Sequence, residues 1–164
     1  MQELLRYRPI GNDWSLQVID LILPIQQEEF KVPVSLDAQP DLADIEGYYH
    51  GSGGSFWGAF HGEQLVGTIG LIKFDRDAGA IRKMFVRAAY RGREYAVAAQ
   101  LLANLLGHCR TTGIKHLYLG TVEILKAAQR FYEKNGFEKI DRQDLPASFP
   151  LMPVDTLFYH LMIR

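Results

Sequence analysis

The period of the apolar positions changes several times along the chain, and each change marks an element. Residues 4–8 alternate briefly, which predicts a first strand, and Gly11-Asn12-Asp13 follows as a turn and helix cap. Leu16, Ile19, Leu23 and Phe30 fall near helical spacing, but Pro24 has no N–H to donate, so residues 15–30 read as two short helices. A loop with two prolines covers 32–40. Asp41 is then placed to cap a short helix with Leu42, Ile45 and Tyr48 on one face, closed by Gly51-Ser52-Gly53-Gly54.

From residue 55 the pattern is that of strands. Residues 55–61 and 64–74 are rich in aromatic and β-branched side chains around a turn at His61-Gly62-Glu63, and a second turn at 75–79 leads to a strand over 80–87. These three predict an antiparallel meander. Ala96, Ala99, Leu102, Leu106 and Arg110, flanked by Leu101 and Leu105, predict a helix over 96–110 that Gly113 ends. A buried strand over 116–120, a helix over 123–135 stopped by Gly136, and late strands over 137–142 and 155–163 complete the order. The sequence therefore predicts an α/β fold of the α+β kind, with helices flanking a mixed, mostly antiparallel sheet in one domain over 1–164.

Composition narrows the chemistry. The 164 residues are 48% hydrophobic, enough for one packed core, and 18 Lys+Arg against 19 Asp+Glu leave a net charge of −1. No general attraction to nucleic acid or anionic membrane follows, so an anion must be held by a local site. The single cysteine, Cys109, cannot form an internal disulfide and fits a reducing compartment. No apolar run approaches the roughly 20 residues that span a bilayer, and a cytoplasmic location is expected. The histidines are dispersed and His108-Cys109 has no second ligand pair, so no metal is expected.

The segment 81–96 carries the first candidate chemistry. A strand leads to Arg91-Gly92-Arg93 just before the long helix, where free backbone N–H groups, a positive dipole end and two arginines would suit a phosphate. An ordinary strand-to-helix connection with surface arginines fits the spacing equally well. Neither a P-loop nor a Gly-x-Gly-x-x-Gly fingerprint occurs. The second segment is Ala127-Ala128-Gln129-Arg130-Phe131-Tyr132-Glu133-Lys134-Asn135-Gly136-Phe137. Together, in this order and at this separation, the two resemble the acyl-CoA-binding motifs of the GNAT superfamily of N-acetyltransferases. Val86 and the 91–96 turn stand for the first motif, and Ala128, Tyr132, Glu133, Gly136 and Phe137 for the second. Where the superfamily usually has Gly-x-Gly/Ala, this chain has Glu94-Tyr95-Ala96, which sets a negative charge beside the phosphate site for Arg91 and Arg93 to offset.

The resemblance implies a fold in which the strand ending at Val86 and the strand around 117–120 splay apart to admit the pantetheine arm of acetyl-CoA. It assigns backbone contacts with that arm to Met84, Phe85 and Val86, and the pyrophosphate to Arg91, Gly92, Arg93, Glu94, Tyr95 and Ala96, with Ala128 and Phe131 lining the same cleft. Tyr132 matches the tyrosine that protonates the departing thiolate; packing beside Phe131 is its structural alternative. The implied activity is acetyl transfer from acetyl-CoA to a primary amine of a small molecule or peptide, by direct attack in a ternary complex. A noncatalytic acyl-CoA sensor is the rival, and it would not need Tyr132. For the acceptor, Glu29 is the candidate base, and Glu28, Tyr48 and Arg82 are candidate substrate contacts. Strand alternation lets only one of Arg82 and Lys83 face the cleft. The apolar segment 149–163 would form a core strand or pair with a second copy in a homodimer.

Overall fold

The computed structural model describes residues 4–92 and 94–164. Strand β1 (Leu5–Pro9) leads through a 3-10 turn into helix α1 (Ser15–Pro24), and a π-helical turn, Ile25–Glu29, continues it. Pro24 therefore divides the segment as its missing N–H requires. The next helix, α2 (Ile45–Tyr48), differs from expectation at its cap. Asp44 accepts from Gly47 N at 3.0 Å, while Asp41 is buried and accepts the Tyr49 hydroxyl at 2.5 Å. The inward face is accordingly Leu42, Ile45 and Tyr49, and Tyr48 is turned out with 43% exposure.

The meander forms as expected from β2 (Ser55–His61), β3 (Gln64–Asp75) and β4 (Ala78–Val86). Gly62, at φ 61°, lets His61 and Gln64 pair across a two-residue turn. Helix α3 (Val97–Thr112) starts after Ala96 and ends at Gly113, which takes the left-handed conformation. Then come β5 (His116–Thr121), α4 (Lys126–Lys134), β6 (Glu138–Ile140) and β7 (Leu157–Met162). Helix α4 begins later than the sequence predicts because residues 122–125 form a turn, held by Gln129 Nε2 donating to the Val122 and Glu123 carbonyls at 3.1 and 2.9 Å.

Among the described residues the strands make a seven-stranded sheet in the order β1-β2-β3-β4-β5-β7-β6. Its one parallel pair is β4 with β5; the other pairs are antiparallel. One face packs on α1 and α2 through Val18, Leu21, Ile22, Ile45, Phe56 and Phe60. The other packs on α3 and α4 through Val66, Ile69, Leu101, Leu105, Leu119 and Tyr132. Cys109 lies in this second core, where burial pushes its thiol up to about 12. Part of 149–163 forms β7, an internal strand bonded to β5 and β6, with Phe149 packed on Phe158 and Ala80. Among the described residues, no helix is long and apolar enough to cross a membrane.

Two irregularities in the sheet make the site. The β4–β5 pairing covers only Ala78↔His116, Gly79↔Leu117 and Ala80↔Tyr118, so beyond Ala80 the two strands separate. In the same stretch β4 bulges against β3: Thr68 pairs with Phe85 but Gly70 with Arg82. Lys83 takes up the extra length at φ 56°, a left-handed conformation that costs a non-glycine residue about 1 kcal/mol or more. Thr68 Oγ1 holds it there by donating to the Lys83 carbonyl at 2.7 Å.

Candidate active site

The gap between β4 and β5 opens into a cleft of about 580 Å3, lined by Ile25 and Phe30 from the first helical region, Met84, Phe85 and Val86 from β4, and Ala127, Ala128 and Phe131 from α4. Its outer end is the start of α3, where Gly92, Ala96, Val97, Ala98 and Ala99 line the wall. No side chain caps this helix, and the first intrahelical acceptor is the Ala96 carbonyl, which receives Gln100 N at 3.0 Å. Among the described residues, the N–H groups of Val97, Ala98 and Ala99 therefore have no partner within the helix and project from its positive end.

The expected phosphate residues do not all meet there. Gly92 and Ala96 line the cleft, Glu94 is exposed outside its lining, and Tyr95 packs at a tilt against Tyr90 with ring centroids 5.0 Å apart. Arg93 lies outside the described residues. Arg91 lines the mouth, but its guanidinium is engaged: Nε donates to the Val86 carbonyl at 2.8 Å and both terminal nitrogens meet the Glu29 carboxylate. Among the described residues, the unpartnered donors at this end belong to Val97, Ala98 and Ala99, which follow the segment the motif singled out.

Inward, the cleft joins a smaller pocket of about 120 Å3 that shares Phe30, Met84, Phe85, Leu125 and Ala128 with it. Tyr132 lines this pocket; it is buried, and its hydroxyl reaches Met84 Sδ at 3.7 Å. Burial, with lesser contributions from Asp155 and Tyr159, holds its phenol well above the ordinary tyrosine range, so it is neutral near pH 7. Its motif neighbour Glu133 faces another way and accepts the Tyr159 hydroxyl at 2.7 Å.

The polar lining comes from Gln26, Gln39, Arg82, Lys83, Thr121 and Asp155. Alternation would set Arg82 and Lys83 on opposite faces, yet the bulge at Lys83 brings both to the pocket. Lys83 is buried, bonded through Nζ to Gln39 Oε1, and 3.8 Å from Asp41 Oδ2; burial outweighs that carboxylate and lowers it to about 8. Gln26 and Gln39 exchange amide hydrogen bonds of 2.9 and 3.0 Å, which fixes the acceptor oxygen that Lys83 uses. Arg82 Nη2 contacts Met152 Sδ at 3.1 Å. Asp155 lies over Gly120, and burial raises its carboxyl to about 6 although Arg82 and Lys83 pull the other way.

Three expected acceptor residues are absent from both linings. Glu28 and Tyr48 are exposed outside them, because the π turn carries Glu28 outward and α2 buries Tyr49 instead. Glu29 is tied to Arg91, which holds its carboxyl below the usual glutamate range, opposite to what a base at neutral pH needs. The residues missed were Asp155, Gln26 and Gln39. Asp155 follows a proline-rich stretch with no periodicity, and its only sequence correlate is Gly120 on the facing strand.

This fold and its motifs agree with comparisons to known proteins. The sequence profile of the Acetyltransferase (GNAT) family matches residues 19–137, and the chain belongs to that family. An Escherichia coli (strain K12) protein named uncharacterized N-acetyltransferase YjgM is 32% identical over 107 residues, which are 63% of this chain and 63% of that protein. The chain thus matches less than two thirds of that relative's length. The crystal structure of a GNAT-family acetyltransferase from Staphylococcus aureus MU50 superposes with a TM-score of 0.94 at 39% identity, covering 98% of this chain and all 100% of that one. N-acetylglutamate synthase from Neisseria gonorrhoeae, solved with coenzyme A and N-acetyl-glutamate, shares the fold at 16% identity and a TM-score of 0.76, over 100% of this chain and 36% of that one.

Proposed function

We propose that the chain transfers an acetyl group from acetyl-CoA to a primary amine by direct attack in a ternary complex. The observation that carries this reading is the early end of β4–β5 pairing, which leaves a continuous cleft from the free N–H groups of α3 to the Tyr132 phenol. That cleft fits the cosubstrate in order. The pyrophosphate would meet Val97, Ala98 and Ala99, the pantetheine arm would run along Met84, Phe85 and Val86 beside Ala128 and Phe131, and the thioester would reach Tyr132. The presence of coenzyme A in the Neisseria fold neighbour supports the choice of cosubstrate.

The chemistry follows from what lines the cleft and the pocket it enters. Arg87 N donates to Val66 on β3, so alternation turns the N–H of Val86 into the gap, where it can stabilise the oxyanion of the tetrahedral intermediate. The Tyr132 phenol can then share its proton with the departing thiolate, whose own basicity rises in the same apolar surroundings. The test is CoA thiol release from acetyl-CoA across a panel of amines, with the acetylated product identified by mass spectrometry. Amine-dependent release is expected. Acetyl-CoA binding with no turnover on any amine would favour a sensor.

A further inference from the structure

The acceptor pocket holds two opposite charges that do not satisfy each other. Among the described residues, no carboxylate lies within ion-pair distance of the Arg82 guanidinium, whose side-chain partner is the sulfur of Met152. The Asp155 carboxylate likewise accepts no hydrogen bond from a described residue. Both line one small pocket next to Tyr132, at the point where the cosubstrate cleft enters it. Lys83 is already occupied by Gln39 and Asp41 and is not free to neutralise Asp155. A ligand that carries a cation and an anion a few bonds apart would satisfy both groups at once. The pocket's volume of about 120 Å3 suits a compact molecule better than a polypeptide segment.

We propose that the acceptor is a small amine bearing a carboxylate, of the amino-acid class, with Arg82 anchoring its carboxylate and Asp155 removing the proton from its ammonium. The inference rests on the acetyltransferase reading above and names its substrate class and its base. Asp155 takes one ammonium proton, and the freed lone pair forms the C–N bond to the thioester carbon. As the C–S bond breaks, the sulfur keeps the electron pair and receives the Tyr132 proton. The remaining excess proton on nitrogen restores the phenol, and Asp155 releases its proton to solvent, so each turnover yields one amide, one thiol and one proton.

Several features prepare Asp155 for this role. Gly120 leaves space for its carboxyl: a Cβ there would stand 2.4 Å from Oδ2. Its own N–H is tied to the Met152 carbonyl at 3.1 Å in a local turn, and the next residue, Thr156, donates its N–H to the Thr121 carbonyl at 2.9 Å, which holds the segment against β5. The charged or titratable groups that face it are Arg82 and Lys83 from β4, Tyr132 from α4, and Arg142, whose Nη2 approaches its carbonyl at 3.5 Å. With its carboxyl at about 6, Asp155 is mostly ionised at pH 7 yet more basic than an ordinary aspartate.

The test compares common α-amino acids with the amines that lack only the carboxylate, in the wild type and in Arg82→Gln and Asp155→Asn, while acetyl-CoA affinity is measured separately by calorimetry. The wild type should prefer the carboxylated partner by about 100-fold or more in kcat/KM, the scale of a charged hydrogen-bonded contact. Arg82→Gln should erase that preference mainly through KM. Asp155→Asn should lower kcat about 100-fold or more and remove the fall in rate below pH 6, while leaving acetyl-CoA affinity unchanged. Equal or better turnover of the carboxylate-free amines, or no turnover of any carboxylated amine by an enzyme that binds acetyl-CoA, overturns the proposal. Failure to bind acetyl-CoA would instead remove the acetyltransferase reading beneath it.

Discussion

Arg91 reaches across the mouth of the cleft and forks onto Glu29, with Nη2 2.8 Å from Oε1 and Nη1 on the other carboxylate oxygen. The same guanidinium lies over the Phe30 ring, 5.6 Å from its centroid, so the pair joins the α3 side of the cleft to the turn after α1. A phosphate at this end would compete with Glu29 for Arg91. Glu29→Gln should therefore tighten acetyl-CoA binding by a factor of about 2 to 5, the scale of an exposed ion pair, and Arg91→Ala should weaken it. Calorimetry at low salt checks both, and equal affinity in all three proteins would contradict the competition.

Gly120 tests the placement of Asp155 without changing any charge. A Cβ at residue 120 would come 2.4 Å from Asp155 Oδ2, closer than real contacts allow, while the strand backbone needs no unusual conformation there. Gly120→Ala should displace the carboxyl and cut turnover at least about 10-fold, with the fold retained by circular dichroism. Full activity in a folded variant would show that the carboxyl position is unimportant.

Tyr132 separates catalysis from binding. Tyr132→Phe keeps the ring that packs on Phe137 and Tyr159, with centroids 5.5 and 5.9 Å away, and removes only the hydroxyl. Turnover should fall by about 10- to 100-fold with acetyl-CoA affinity unchanged. Steady-state kinetics beside calorimetry check this, and an unaltered kcat would remove the acid role.

Stability should depend on pH through two desolvated groups of opposite sign, the half-buried Asp155 and the buried Lys83. Asp155 is raised from 3.8 to about 6, so between those values the folded protein binds the proton that the unfolded chain has released. Stability should decline as pH rises from about 4 to about 6, and the ionised carboxylate should remain a destabilising charge above that. Lys83 is lowered from 10.5 to about 8; there the unfolded chain holds the extra proton, and stability should rise with pH from about 8 to about 10. Asp155→Asn should thus raise stability at pH 8 by about 1–3 kcal/mol while lowering activity. Urea denaturation across this range measures both effects, and a variant less stable than the wild type at pH 8 would contradict the assignment.

Much of this fold was legible in the sequence because period and punctuation agree. The turn at His61-Gly62-Glu63, the apolar face from Leu101 to Leu105 and the stop at Gly113 all form as local signals require. The gap between β4 and β5 was legible only through the paired motifs, since nothing local in Ile81 or Leu119 says that the strands part. The acceptor pocket was the least legible. Alternation misplaces Arg82 against Lys83 because a bulge depends on the Thr68 hydroxyl of a neighbouring strand. Asp41 resembles a helix cap, but the buried Tyr49 hydroxyl is its partner, and that contact exists only once α2 has packed. Asp155 gains its environment from β4, β5 and α4, elements distant in sequence, so no window around it carries the signal.

If the gap between β4 and β5 is the acetyl-CoA site, filling it should abolish binding. Ala128 lines both the cosubstrate cleft and the acceptor pocket, so Ala128→Trp would obstruct the passage between them. Acetyl-CoA titrated by calorimetry should bind the wild type one to one and fail to bind the folded variant. Equal binding by both proteins would place the cosubstrate outside this gap.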